Sequence, residues 1–437
     1  MIYKAALKML TFLLLAGSCA VAQVSVPDTP AGRTLQAWLN AFNSGDRAKI
    51  EQYVDTIDHT QSVDGLLSFR NAIEGFDLVA IHSSEPLHIR FSVKEKGSDE
   101  TSLGEVVVKD GKPPTVDTFT LRGLPHGVMV ENVTVDAALR QKVIDGVKTN
   151  LTEFYVEAAI ARKMADAVEA YQKAREYDAI TDGDAFAARL TNDLENVSHD
   201  RHLQVRFSPF KIPPRTEPTP EDEARFQAQM EHDNCAFDKV EILQSNIGYI
   251  KFDGFMDPSF CGPTVVAAMG FVAHTDALIF DIRQNRGGQP AMVTMIASYL
   301  FDRQTHLIDI YNRKDDSTTQ NWTLSYLPGP RFAKQPVFVL TSRQTFSGAE
   351  EFAFDLKNQK RATIVGETTG GGAHPVSGHP IADYFMISVP FAKSLDPVTK
   401  TNWEGTGVEP DVKVSADDAL RTAEKLANEK IQLAKKK

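Results

Sequence analysis

The stretch TSRQTFSGAEEFAFDLK, Thr341 to Lys357, sets a serine between a phenylalanine and a glycine where an apolar strand hands over to a helix. Ser347 and Glu350 have the spacing of a capping box, in which the serine hydroxyl accepts from an amide of the first helical turn. The same position suits a nucleophile. Amides left unpaired at a helix start, together with the positive end of the helix dipole, can hold a developing oxyanion. The cap therefore does not exclude the nucleophile. Three glycine-rich turns lie elsewhere: FDIRQNRGGQP, TIVGETTGGGAHP and NWEGTGVEPDV. Glycine lets backbone amides come close to a substrate carbonyl, so Gly287 or Gly288 would supply one oxyanion donor and the amide of Gly348 another.

These residues need elements to hold them. PVFVLTS reads as a buried strand, and Ala349, Phe352, Ala353 and Leu356 fall at the spacing of a helix that starts beside Ser347. From Val240 onward strands and helices alternate, which predicts an α/β core with a mostly parallel sheet over residues 236–420, followed by a terminal helix and basic tail at 421–437. Ahead of the core, residues 130–210 read as a helical subdomain. FKIPPRTEPTPEDEARF, rich in proline and charge, predicts a linker or mobile loop over 211–235. Residues 23–125 begin with a helical period through Leu35, Trp38, Leu39 and Phe42. Four short β-rich runs follow, giving a small α+β domain. His59, His82 and His88 in that domain match no ligand spacing.

Composition narrows the function. The chain has 437 residues, 42% of them hydrophobic and 24% charged, and a net charge of −11, which argues against a nucleic-acid partner. Lys4 and Lys8 precede the apolar run MLTFLLLAG and small residues follow, so residues 1–22 read as a signal peptide cleaved before Gln23. The apolar run is shorter than the ~20 residues that span a bilayer. The expected location is therefore periplasmic or extracellular, with a lipid anchor at Cys19 as the alternative. Export permits a disulfide between Cys235 and Cys261, though spacing alone leaves two separate buried thiols equally open. No HExxH or paired-cysteine motif is present, and the expected chemistry needs neither metal nor cofactor.

Taken in order, TSRQTFSGAEEFA, VGETTGGGAHP and GTGVEPDV resemble the C-terminal processing peptidases, the tail-specific and tricorn-core serine peptidases. The likeness is greatest to their interphotoreceptor retinoid-binding protein-like branch and runs from Val133 to Val414. It implies a crotonase- or Clp-like ββα spiral, Ser347 as nucleophile and a peptide or protein substrate. The tail-specific branch carries a lysine where Gly371 stands, so a Ser-Lys dyad is not expected, and no peptide-binding PDZ insert is recognisable. Histidine is then the side chain suited to take the serine proton. His202 and His374 are the candidate bases, and His202 in SHDRHLQVRF is favoured because it matches the family histidine. His374, with Gly371 and Gly372, suits substrate positioning, and His199 reads as a surface residue. Glu404 matches the family glutamate that orients the base, but Arg201 replaces the relay serine and leaves Asp200 as a competitor. The alternative function is a scaffold without turnover that binds an apolar ligand or a peptide. The segment before Leu124 weakly resembles the nuclear transport factor two-like, or SnoaL-like, domains.

Overall fold

The computed structural model describes residues 24–124, 128, 130, 131, 133–212 and 219–436. The expected signal peptide at 1–22 and Cys19 lie outside them. The chain divides into two compact units, residues 1–132 and 133–437.

In the first unit, helices α1 (Pro30–Ser44), α2 (Arg47–Thr56) and α3 (Val63–Ile73) precede an antiparallel meander of β1 (Phe76–Ser84), β2 (His88–Glu95), β3 (Thr101–Lys109) and β4 (Thr115–Gly123). Thr29 caps α1, and Gly45 ends it at φ 63°, a left-handed conformation that glycine adopts without penalty. The predicted stripe of Leu35, Trp38, Leu39 and Phe42 is buried, with Trp38 packed among Phe42, Phe76, Phe91 and Phe119. His88 is taken up by Glu105 on the neighbouring strand, at 2.7 Å.

The second unit opens with α4 (Ala137–Phe154), α5 (Ala158–Lys173), α6 (Gly183–Ser198), β5 (Gln204–Phe207) and α7 (Pro220–His232). The α/β body follows, with β6 (Phe237–Leu243), β7 (Ile247–Phe252), α8 (Pro258–Phe271), β8 (Ala277–Asp281), α9 (Pro290–Ser298), β9 (His306–Asn312), β10 (Ser317–Trp322), β11 (Val337–Thr341), α10 (Gly348–Asn358) and β12 (Thr363–Gly366). The chain ends with β13 (Val376–Ala382), β14 (Phe385–Pro390), β15 (Ala392–Leu395), β16 (Val412–Lys413) and α11 (Ala416–Lys435).

The main sheet has the order β16-β12-β11-β8-β7-β6 and is parallel except for β6. Every residue of β8 and β11 is buried, as continuous apolar strands in a sheet covered on both faces should be. Helices α8, α9 and α10 bury one face, and α11 covers the other through Ala419, Ala423, Ala427 and Ile431. A second sheet, β13-β14-β5, packs against α4, α5 and α6. Its pairing of β5 with β14 carries the residues just before Gln204 to the glycine-rich turn ahead of β13. Among the described residues no helix is long and apolar enough to cross a membrane.

Two boundaries differ from expectation. Residues 219–235 are not an extended linker. Pro220 takes the first helical position of α7, where its missing N–H costs nothing, and Thr219 and Asp222 close a capping box around it. Cys235, just beyond, is buried and bonded to Cys261, with the two Cα atoms 5.6 Å apart. The terminal helix is no appendage either. It starts at Ala416, and its alanine stripe is part of the core.

Candidate active site

Ser347 follows β11 at φ 56°, ψ −124°, outside the extended conformation of an ordinary N-cap, and α10 begins at the next residue. The Glu350 carboxylate accepts the Ser347 N–H at 2.9 Å, while the Glu350 N–H goes to the Ser347 carbonyl oxygen at 2.8 Å. Beside this turn stand Gly287 (φ 97°) and Gly288 (φ 139°). A Cβ placed on Gly287 would fall 2.7 Å from the Gly348 nitrogen and 2.9 Å from the Ser347 Cβ. One placed on Gly348 would fall 3.3 Å from the Gly288 nitrogen. Only glycines allow the two turns to meet this closely.

Gly287 itself offers no free amide, because its N–H donates to the Asn285 Oδ1 at 2.8 Å. Of the glycines expected to serve as oxyanion donors, Gly288 and Gly348 keep amides without a partner among the described residues, the latter at the first position of α10 where no intrahelical acceptor exists. Asn285 is fully buried. Its side chain also donates to the Phe252 carbonyl at 3.1 Å and its own carbonyl accepts the Phe346 N–H at 3.1 Å, which locks the two turns together. In the sequence this asparagine reads as an ordinary turn former.

Glu350 ties the serine to the second glycine-rich turn. Besides the Ser347 amide it accepts the N–H groups of Gly371 at 2.7 Å and Gly372 at 2.8 Å, and the Thr369 hydroxyl. Burial raises its pKa against the pull of these donors. The carbonyls of both glycines are also occupied, by the Gly405 N–H at 2.9 Å and the Trp403 indole N–H at 2.7 Å. Gly371 and Gly372 therefore shape the turn instead of presenting polar backbone to a substrate. At φ 88°, with backbone atoms of residues 405–407 within 3.3 Å of any added Cβ, a lysine at position 371 would be strained and crowded.

His202 lies between α6 and β5. Its ring packs on Phe346, with centroids 4.6 Å apart, and its Cε1 would lie 2.5 Å from a Cβ on Gly372. The ring is buried, neither nitrogen has a hydrogen-bond partner, and burial pulls its pKa down to about 4. Arg201 reaches over Phe346 and donates to the Gly370 carbonyl at 3.1 Å.

Asp200 is the carboxylate nearest His202. One oxygen accepts the His202 backbone N–H at 3.0 Å and lies 3.7 Å from its Nδ1. The other sits 2.7 Å from His374 Nδ1 and accepts the Tyr155 hydroxyl at 3.2 Å. Burial opposes protonation of His374, but its bond to Asp200 and the nearby Glu404 raise its pKa overall. His374 is thus a buried partner of Asp200 and not an open substrate-positioning group. Glu404 sits 3.5 Å from His374 Nδ1 and accepts the Ala373 N–H at 2.6 Å, so its closest imidazole is His374, not the His202 it was expected to orient. Burial and the Asp200 charge push the Glu404 pKa up to about 7. His199 is the exposed, left-handed C-cap of α6.

Residues 246–414 match the model of peptidase family S41, and residues 133–241 match the N-terminal domain of Peptidase_S41 in eukaryotic IRBP. The carboxy-terminal processing protease CtpB of Bacillus subtilis (strain 168) is 27% identical over 144 residues, 33% of this chain. The chain covers 28% of that relative's length. A putative peptidase from Parabacteroides merdae superposes with a TM-score of 0.47 at 18% identity, over 66% of this chain and 96% of that one. The tricorn protease does so at 0.43 and 12%, over 82% and 46%. The photosystem II D1 C-terminal processing protease gives 0.39 and 14%, over 65% and 94%.

Proposed function

We propose that the chain, whose residues 246–414 match the model of peptidase family S41 and whose residues 133–241 match that of the family's N-terminal domain, is a serine-type peptidase acting through Ser347 with His202 as general base. The observation that carries this reading is the meeting of Ser347 and the Gly348 amide with Gly288 at a helix start. The Ser347 Oγ attacks the peptide carbonyl carbon while His202 takes its proton. The amides of Gly288 and Gly348 hold the oxyanion, and His202 returns the proton to the leaving amine. Water then hydrolyses the acyl-enzyme. Asp200, beside the His202 ring, stabilises the imidazolium that forms in each step. The leader-like amino terminus supports export to the periplasm or beyond, where the substrate would be a peptide or protein.

A fluorophosphonate probe should label Ser347. His202→Ala should slow labelling by ~10²- to 10⁴-fold, the usual worth of a positioned base. Since burial keeps the His202 ring neutral to about pH 4, labelling should persist below pH 6.5, where an exposed imidazole would already be protonated. A folded wild type that resists the probe would favour the second reading, a binding scaffold. The unpartnered, weakly basic His202 is the observation on that side.

A further inference from the structure

We propose that Asp200, His202 and Glu404 form a site for a divalent transition metal of the zinc type, and that its occupation switches the proposed peptidase off. One ligand atom from each of the three residues lies within 4.8 Å of the other two. An imidazole nitrogen and two carboxylate oxygens are a donor set that zinc accepts, with an open fourth position for water. The atoms are also in want of a partner. The His202 side chain is 8% exposed, with both ring nitrogens unbonded, and the Glu404 Oε1 is likewise buried and unbonded. Leaving such atoms unsatisfied in the interior costs stability, so a ligand that satisfies them is favoured.

The geometry needs only a small adjustment. Ligands about 2.0–2.2 Å from a tetrahedral ion stand roughly 3.3–3.6 Å from one another. His202 Nδ1 and Asp200 Oδ1 are already 3.7 Å apart, so the main movement is of Glu404 toward them. Asp200 is steadied for this role by His374 and Tyr155 on its other oxygen. Outer bonds of that kind commonly orient a metal-binding carboxylate.

The effect on catalysis follows from the imidazole. When Nδ1 gives its lone pair to the ion, the single ring hydrogen must sit on Nε2, and the ring can no longer accept the Ser347 proton. This inhibitory half rests on His202 being the base, whereas the binding half does not.

The two halves are tested separately. Full-length protein carrying Ser347→Ala is titrated with zinc chloride by calorimetry and by thermal melting. One ion per chain and a melting temperature that climbs with zinc concentration are expected. Both should be lost when His202→Gln and Glu404→Gln are added to that variant, changes that keep side-chain volume. No heat and no shift in the Ser347→Ala protein would overturn the site. Binding that survives both substitutions would mean surface histidines only, and would overturn it equally. In the wild type, free zinc at nine times its dissociation constant should slow probe labelling about tenfold, and undiminished labelling would overturn the inhibitory half. If the wild type never labels, the peptidase reading fails while calorimetry still decides the metal site.

Discussion

At the scale of single residues, the organising group is Glu350, whose carboxylate gathers the amides of Ser347, Gly371 and Gly372 and the Thr369 hydroxyl. Glu350→Gln keeps the shape but turns an NH₂ toward donors that need an acceptor. It should cost about 1–3 kcal/mol of stability, the usual penalty for buried polar groups left unpaired. It should also slow probe labelling by at least tenfold, because the serine turn and the glycine turn lose their common anchor. Chemical denaturation and labelling rates check both halves, and an unchanged labelling rate in a folded variant would contradict this role. The sequence disclosed Glu350 only as the partner of a cap three residues away. Its bonds to Gly371 and Gly372 cross more than twenty residues, a distance at which side-chain spacing carries no information.

At the scale of elements, α10 holds two further acids facing the core. Asp355 is buried with neither oxygen bonded, and burial together with the charges of Glu351 and Asp396 raises its pKa well above its ordinary value. Glu351 is pushed up to about 7 by burial. Glu351 is therefore neutral in the folded protein near pH 5 and Asp355 holds its proton more tightly than in the unfolded chain, where both ionise from about pH 4 upward. The native state then binds more protons than the unfolded one, so the stability they allow is complete below about pH 4 and is lost as pH rises from there through the folded-state pKa, about 7 for Glu351. Asp355→Asn stays neutral throughout. It should stabilise the protein at pH 8 by about 1 kcal/mol or more and flatten the decline between pH 5 and pH 8. Melting curves across that range decide the matter, and a decline as steep as the wild type's would refute it. The heptad-like spacing of Ala349, Phe352, Ala353 and Leu356 made α10 legible as a helix, but Glu351 and Asp355 share enough of its buried face to be covered too.

At the scale of the whole molecule, the two units have separate apolar cores, one built on Trp38 and its aromatic neighbours, the others on the main sheet and on α4 to α6. All the candidate site residues belong to the second unit. A fragment of residues 133–437 should therefore fold alone and be labelled at Ser347 at the rate of the longer chain. A rate reduced tenfold or more would show that the amino-terminal unit contributes to the site. The Cys235–Cys261 bond falls within this second unit and would be retained by the fragment.

What the sequence determined by itself were the local periodicities and punctuation: the buried strand before Ser347, the helix after it, the glycine turns and the early α+β segment. Each is set by contacts between near neighbours and by glycine's freedom at positive φ. The motif order in turn pointed to the family. Only the tertiary structure decided which groups are free. It committed the Gly287 amide to Asn285 and the Gly371 and Gly372 amides to Glu350, and it paired His374 with Asp200, leaving the His202 ring nitrogens without a hydrogen bond. The physical reason is that hydrogen-bond partners and burial are properties of position in space, and β5 reaches β14 across more than 170 residues of chain. Residues 219–235 taught the same lesson in reverse, since their charge suggested extended chain while a capping box starts a helix there and a disulfide ties its far end to α8.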